Sequence, residues 1–337
     1  MRRAVQTFFP ALLLVASAAL AAPGPVYGPE LQGFAYPNPL LHFSFSSQGQ
    51  QLQMAYMDVA AQGQPNGHTI VLMHGKNFCG ATWQDSITVL SRAGYRVVVP
   101  DQIGFCASSK PAFYQYSFQQ LATNTAALLK KLGVPRSIVM GHSTGGMLAT
   151  RYALMFPQAV AHLILVNPIG LEDWKALGVP GRTVDQWYQR EWKLTAESVR
   201  QYEKSTYYGG RWKPEYERWV DMLAGLNQGP GHQLVAWNSA LIYDMIFTQP
   251  VVYELPLLKM PTTLMIGAAD TTAIGSDLAA PEVKAKIGHY NVLGKEAVKR
   301  IPHGQLIEFP GLGHAPQMED PGKFHQALLK ALAAEPN

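Results

Sequence analysis

The sequence predicts an α/β protein: a doubly wound, mostly parallel sheet with one mainly helical cap insertion. Short apolar, β-branched runs recur along the chain: "HTIVLMHG", "YRVVVPD", "SIVMGHS", "HLILVNP", "TTLMIGAAD" and "QLIEFPG". Strands that are apolar throughout belong to parallel sheets covered on both faces. Helical segments such as "TWQDSITVLSRAG", "SFQQLATNTAALLKKLGV", "TGGMLATRYALMFP" and "PGKFHQALLKALA" lie between or after them, and this alternation implies right-handed crossovers. The alternation fails once, from about Leu171 to Pro256, in a stretch rich in Trp and Tyr that reads mostly as helix.

The chain of 337 residues is 47% hydrophobic and 15% charged, which fits a large packed core and excludes a disordered chain. Its formal charge is +4, of which Arg2 and Arg3 supply two, and it has no basic cluster. A nucleic-acid partner is therefore not expected. "MRR" leads into an apolar segment that ends in small residues, and Ala19-Leu20-Ala21 satisfies the A-x-A cleavage rule. Residues 1–21 read as a signal peptide, with the mature chain starting at Ala22. The apolar run falls short of the roughly 20 residues that span a bilayer, so no stable membrane insertion is expected after its removal. Export to the periplasm or medium would place Cys79 and Cys106 in an oxidising compartment.

The elements follow in order. Residues 22–50 read as an N-terminal arm rich in Pro, Gly and aromatics, and "QLQMAYMDVA" alternates like a strand with one exposed face. Residues 51–170 and 257–337 form the core, with 171–256 as a cap over the strand ends. Ser117 with Gln120 makes a capping box for the second helix. In such sheets ligands bind beyond the carboxyl ends of the strands.

"IVMGHSTGG" leaves one of those ends with Ser143 among Gly141, Gly145 and Gly146, as a strained strand-to-helix elbow would. A serine hydroxyl is a weak nucleophile that needs a base, and the base needs an orienting acid. Asp270 and His314 each stand just past a predicted strand, so the order is Ser, Asp, His. That order, with "GHSTGG", "HGKNF", "DQIGFCASS" and "GHAPQMEDP" in sequence, resembles the serine-nucleophile branch of the α/β-hydrolase superfamily over residues 50 to 335.

The resemblance implies Ser143 as nucleophile, His314 as general base and then acid, and Asp270 as the residue that orients it. The backbone N–H groups of Thr144 and Lys76 would form the oxyanion hole, with Asn77 as the alternative second donor. Asp277 is the alternative acid; the strand-end Asn167 stands where some such hydrolases carry the acid, and its amide leaves Asp270 favoured. His74 and His142 buttress loops in such proteins, and the other histidines read as surface or packing residues. The Lys76 side chain is expected in solvent. Most cap aromatics should pack the cap, with some lining an apolar pocket.

The activity implied is hydrolysis of a small or medium carboxylic ester through an acyl-enzyme. Lactone, amide, thioester or C–C cleavage on the same residues is the runner-up, and a non-catalytic ligand-binding protein is the alternative of a different class. The expected partner is a small-molecule substrate; no metal or organic cofactor is implied. Relatives commonly carry glycine where "DQIGFCASS" has Cys106, and the resemblance implies that the loops of Cys79 and Cys106 converge over the nucleophile. A Cys79–Cys106 disulfide is therefore expected, contributing on the order of 3 kcal/mol.

Overall fold

A computed structural model describes residues 24–334; the expected signal peptide, residues 1–21, lies outside them. Eight strands form one sheet: β1 (Leu41–Ser47), β2 (Gln50–Val59), β3 (Thr69–Met73), β4 (Arg96–Pro100), β5 (Ser137–His142), β6 (Val160–Val166), β7 (Thr262–Gly267) and β8 (Gly304–Phe309). Their order is β1-β2-β4-β3-β5-β6-β7-β8. β2 pairs antiparallel with β1 and β4, and every pairing from β4 across to β8 is parallel. β5 and β7 are buried at every residue, as strands sandwiched between helix layers must be.

Three helices, α1 (Gln84–Arg92), α2 (Phe118–Lys131) and α3 (Thr144–Met155), follow β3, β4 and β5. The helices α4 (Val184–Trp192), α5 (Ala196–Tyr202), α6 (Glu217–Asn227) and α7 (His232–Thr248) stand together between β6 and β7. A π-helical turn, Glu203–Tyr207, follows α5. After β7 come α8 (Pro281–Lys284), α9 (Tyr290–Arg300), α10 (Pro316–Glu319) and α11 (Pro321–Ala333). Among the described residues no helix is long and apolar enough to cross a membrane.

Two local expectations change. The end of the anticipated arm is a true strand, since β1 pairs with β2 from Leu41↔Tyr56 to Ser47↔Gln50. Its alternation of serines with aromatics suits an exposed sheet edge. At α2 only half of the capping box forms: Ser117 Oγ accepts from Gln120 N at 3.0 Å, whereas Gln120 Nε2 donates to Asn124 Oδ1.

The remaining arm lies along the cap. Tyr27 N donates to Gly225 O at 3.1 Å, and Phe34 packs against Trp219 with ring centroids 6.4 Å apart. A Cβ on Gly229 would fall 1.9 Å from Tyr27 O, and one on Gly225 2.5 Å from Pro25 O. The absent side chains are what let the arm's backbone approach this closely. Tyr36 then donates its hydroxyl to Asp101 in the core, so one short segment spans cap and sheet.

Candidate active site

Ser143 sits between β5 and α3 at φ 57°, ψ −122°, a conformation costly for any residue with a Cβ. The surroundings enforce it. A Cβ at Gly141 would stand 2.1 Å from Gly145 O, and one at Gly145 2.2 Å from Met73 O, so helix and strands meet more closely than side chains allow. Ser143 N donates to Val166 O at 3.1 Å, and its residue is only 4% exposed. Thr144 opens α3, placing its N–H among the first-turn amides that have no partner inside a helix.

Asp270 follows β7 and is fully ringed by donors. Its Oδ1 accepts from Thr272 N at 2.8 Å and Thr272 Oγ1 at 2.6 Å. Its Oδ2 lies 2.6 Å from His314 Nδ1 and accepts from Asn167 Nδ2 at 2.9 Å. Asn167 therefore supports the carboxylate from the end of β6, and holds Gly267 N on its own Oδ1 at 2.8 Å. Asp277 is elsewhere, in an ion pair with Arg182 near the surface.

His314 is completely buried, and its Nε2 has no hydrogen-bond partner among the described residues. The peptide oxygen of His314 lies 2.8 Å from His142 Nε2, which ties the imidazole's backbone to the residue preceding Ser143. Burial first, and then the neighbouring His314, push the His142 pKa well below the ordinary histidine value. His74 N–H at Nδ1 donates to Gly75 O at 2.9 Å while its Nε2 accepts from Gln102 N, joining the loops after β3 and β4.

The loop Gly75–Lys76–Asn77 passes beside the serine: a Cβ on Gly75 would be 3.0 Å from Ser143 Cβ. The Lys76 side chain does not enter solvent. Its Nζ donates to Glu191 Oε2 of α4 at 2.7 Å and stands 3.9 Å over the Tyr243 ring. An ammonium withdrawn from water needs such a counter-charge, and the cap supplies it. Asn77 Nδ2 donates to Tyr207 Oη at 3.0 Å. A cavity of about 30 Å³ adjoins this loop, walled by Lys76, Asn77, Phe78, Cys106, Met222 and Ser239 among others.

The two cysteines come together as free thiols rather than the expected disulfide. Cys79 Sγ points its contact at Met222 Sδ, 3.2 Å away, and Cys106 Sγ donates to Phe78 O at 3.4 Å. With Asp101 they form a compact buried trio whose candidate ligand atoms lie within 4.8 Å of one another. The Asp101 oxygens are already taken by Gly80 N, Ala107 N and the Tyr36 hydroxyl, so the trio serves packing and loop closure.

Sequence reasoning did not find Glu191 or Tyr207, whose partners lie 115 and 130 residues away in the chain. Thr272 could have been found: a hydroxyl residue two positions after an aspartate is the pattern of an Asx turn.

Residues 68–321 match the family described as alpha/beta hydrolase fold. The chain belongs to that family. A crystal structure of a probable hydrolytic enzyme from Pseudomonas aeruginosa PAO1 is similar, with a TM-score of 0.91 and 62% identity over 92% of this chain and 99% of that one. A putative carbamate hydrolase RutD from Pantoea ananatis is 27% identical over 81% of this chain and 91% of its own length. Lipase 1 of Psychrobacter immobilis is 28% identical over 82% of each. This α/β-hydrolase is a hydrolytic enzyme.

Proposed function

We propose that the protein is an exported serine hydrolase that cleaves small-to-medium carboxylic esters. The observation that carries the mechanism is the 2.6 Å contact of His314 Nδ1 with Asp270 Oδ2, which leaves Nε2 without a partner among the described residues, on an imidazole whose centroid lies 4.9 Å from that of His142, the residue before Ser143. A carboxylate on Nδ1 keeps the proton there and presents Nε2 as the base. Ser143 Oγ attacks the ester carbonyl while His314 Nε2 takes its proton. The oxyanion is received by the amides of Thr144 and Lys76. Collapse expels the alcohol with the proton from His314, giving an acyl-serine. Water, deprotonated by the same nitrogen, attacks the acyl group, and the acid leaves as Ser143 regains its proton.

Similarity to a lipase supports the ester assignment. Similarity to a putative carbamate hydrolase favours an acyl–nitrogen bond as the second reading. Export rests on the leader-like composition of residues 1–21. The experiment is a panel of p-nitrophenyl esters of increasing chain length beside p-nitroanilides and lactones. Turnover concentrated on esters supports the assignment, and turnover only on anilides replaces it with the amide reading.

A further inference from the structure

Consecutive residues of the loop after β3 are each held by a side chain of the cap. Lys76 is bound by Glu191 on α4, and Asn77 by Tyr207 at the end of the π-helical turn. The Lys76–Glu191 contact is deeply buried, with side chains 9% and 2% exposed. Ser239 on α7 donates a second hydrogen bond to the same Glu191 oxygen at 2.6 Å. Tyr243, under the ammonium, is itself stacked on Trp187 with centroids 4.7 Å apart and planes 10° apart. Burial tends to raise the Glu191 carboxyl, but Lys76 and Ser239 outweigh it and hold its pKa below the ordinary value.

A buried ion pair is weak support for stability, because apolar residues of similar volume often do as well. Its geometry is another matter. The pair holds the loop from the cap side, one residue from Gly75, where a Cβ would stand 3.0 Å from Ser143 Cβ.

We propose that Glu191 is a positioning residue: through its ion pair with Lys76, the cap sets the backbone of the oxyanion loop, so the oxyanion hole is complete only when the cap is seated. The proposal rests on the reading of Lys76 N–H as an oxyanion donor. The Lys76 ammonium, neutralised by Glu191, does not serve to attract an anionic substrate. The cap then contributes to the chemical step as well as to substrate choice, since displacing a reacting contact by about 1 Å costs on the order of 10²-fold.

The test uses the full-length enzyme and a p-nitrophenyl ester. Glu191→Gln keeps the shape and the Ser239 hydrogen bond but removes the charge. It should lower kcat by roughly 10- to 100-fold while KM stays within about threefold. Labelling of Ser143 by a fluorophosphonate, whose phosphoryl oxygen takes the oxyanion position, should slow similarly. The double variant Lys76→Met with Glu191→Leu should regain wild-type Tm, as apolar replacement of a buried pair allows, without regaining kcat.

Recovery of both Tm and kcat in the double variant would reduce the pair to packing and overturn the proposal. So would a Glu191→Gln enzyme with kcat within about twofold of wild type, and this variant alone decides if the double variant does not fold. Ser143→Ala separates the two levels. Inactive Ser143→Ala with unimpaired Glu191→Gln discards only the positioning role, whereas active Ser143→Ala discards the serine mechanism as well.

Discussion

Tyr207 accepts the backbone N–H of His314 on its carbonyl at 2.9 Å and lays its ring 4.7 Å from the imidazole. Its hydroxyl meanwhile accepts from Asn77, so one cap residue touches both the proposed base and the oxyanion loop. Tyr207→Phe keeps the first contact and breaks the second, leaving a buried amide without its partner. The expected cost is about 1–3 kcal/mol of stability, with kcat falling roughly 3- to 10-fold through the loosened loop. Urea unfolding and steady-state kinetics on the same preparation check this. An unchanged midpoint would mean that Asn77 has found water or another acceptor.

Ser143→Ala should lower kcat by about 10⁴-fold or more, with residual turnover from binding and the oxyanion donors. Intact protein mass after fluorophosphonate treatment should show a single adduct, lost in the variant. Modification at any other serine would remove the nucleophile assignment.

Asp270→Asn should lose roughly 10⁴-fold in kcat by presenting the wrong tautomer of His314. Asp277→Asn, in its ion pair with Arg182 at the surface, should stay within about twofold of wild type. Asn167→Ala removes a 2.9 Å donor to Asp270 Oδ2, and a loss on the order of tenfold is expected from a less well-held carboxylate. Kinetics of the three variants rank these roles; greater damage at Asp277 than at Asp270 would reverse the assignment of the acid.

His162, in the middle of β6 with Nε2 2.9 Å from Thr263 Oγ1, has its pKa pushed down by burial from 6.5 to about 4. Between those values the unfolded chain takes up a proton that the folded protein refuses. Stability should therefore fall as pH drops from about 6.5 to about 4, by up to about 3 kcal/mol from this group, and level off below. Denaturant titrations at pH 7 and pH 4.5 measure the slope. It should be shallower in His162→Gln, and equal slopes would show that other groups govern acid lability.

The residues legible in the sequence were those whose requirement is local. The Ser143 elbow advertises itself because close approach of helix and strand admits only glycine at Gly141 and Gly145. Asp270 and His314 stand at the ends of two apolar strands, where a parallel sheet collects its ligand-binding side chains. Lys76 was misjudged for a physical reason. Lysine is rarely buried unless paired, and its partner Glu191 lies in a cap whose helices carry no signal of where they dock. β1 was hidden similarly, since "LHFSFSS" is too polar to stand out until β2 is there to pair with it.

The arm threaded along Gly225 and Gly229 bears on the order in which the molecule is made. Tyr27 leaves the ribosome roughly two hundred residues before the glycine whose carbonyl it will bind. Until α6 exists, Phe34 lacks the Trp219 ring it packs against, and contacts so distant along the chain are slow to close. Docking of the arm is thus a late event that reports completion of the cap, and a protease acting on nascent or partly folded chains would cut first near this end.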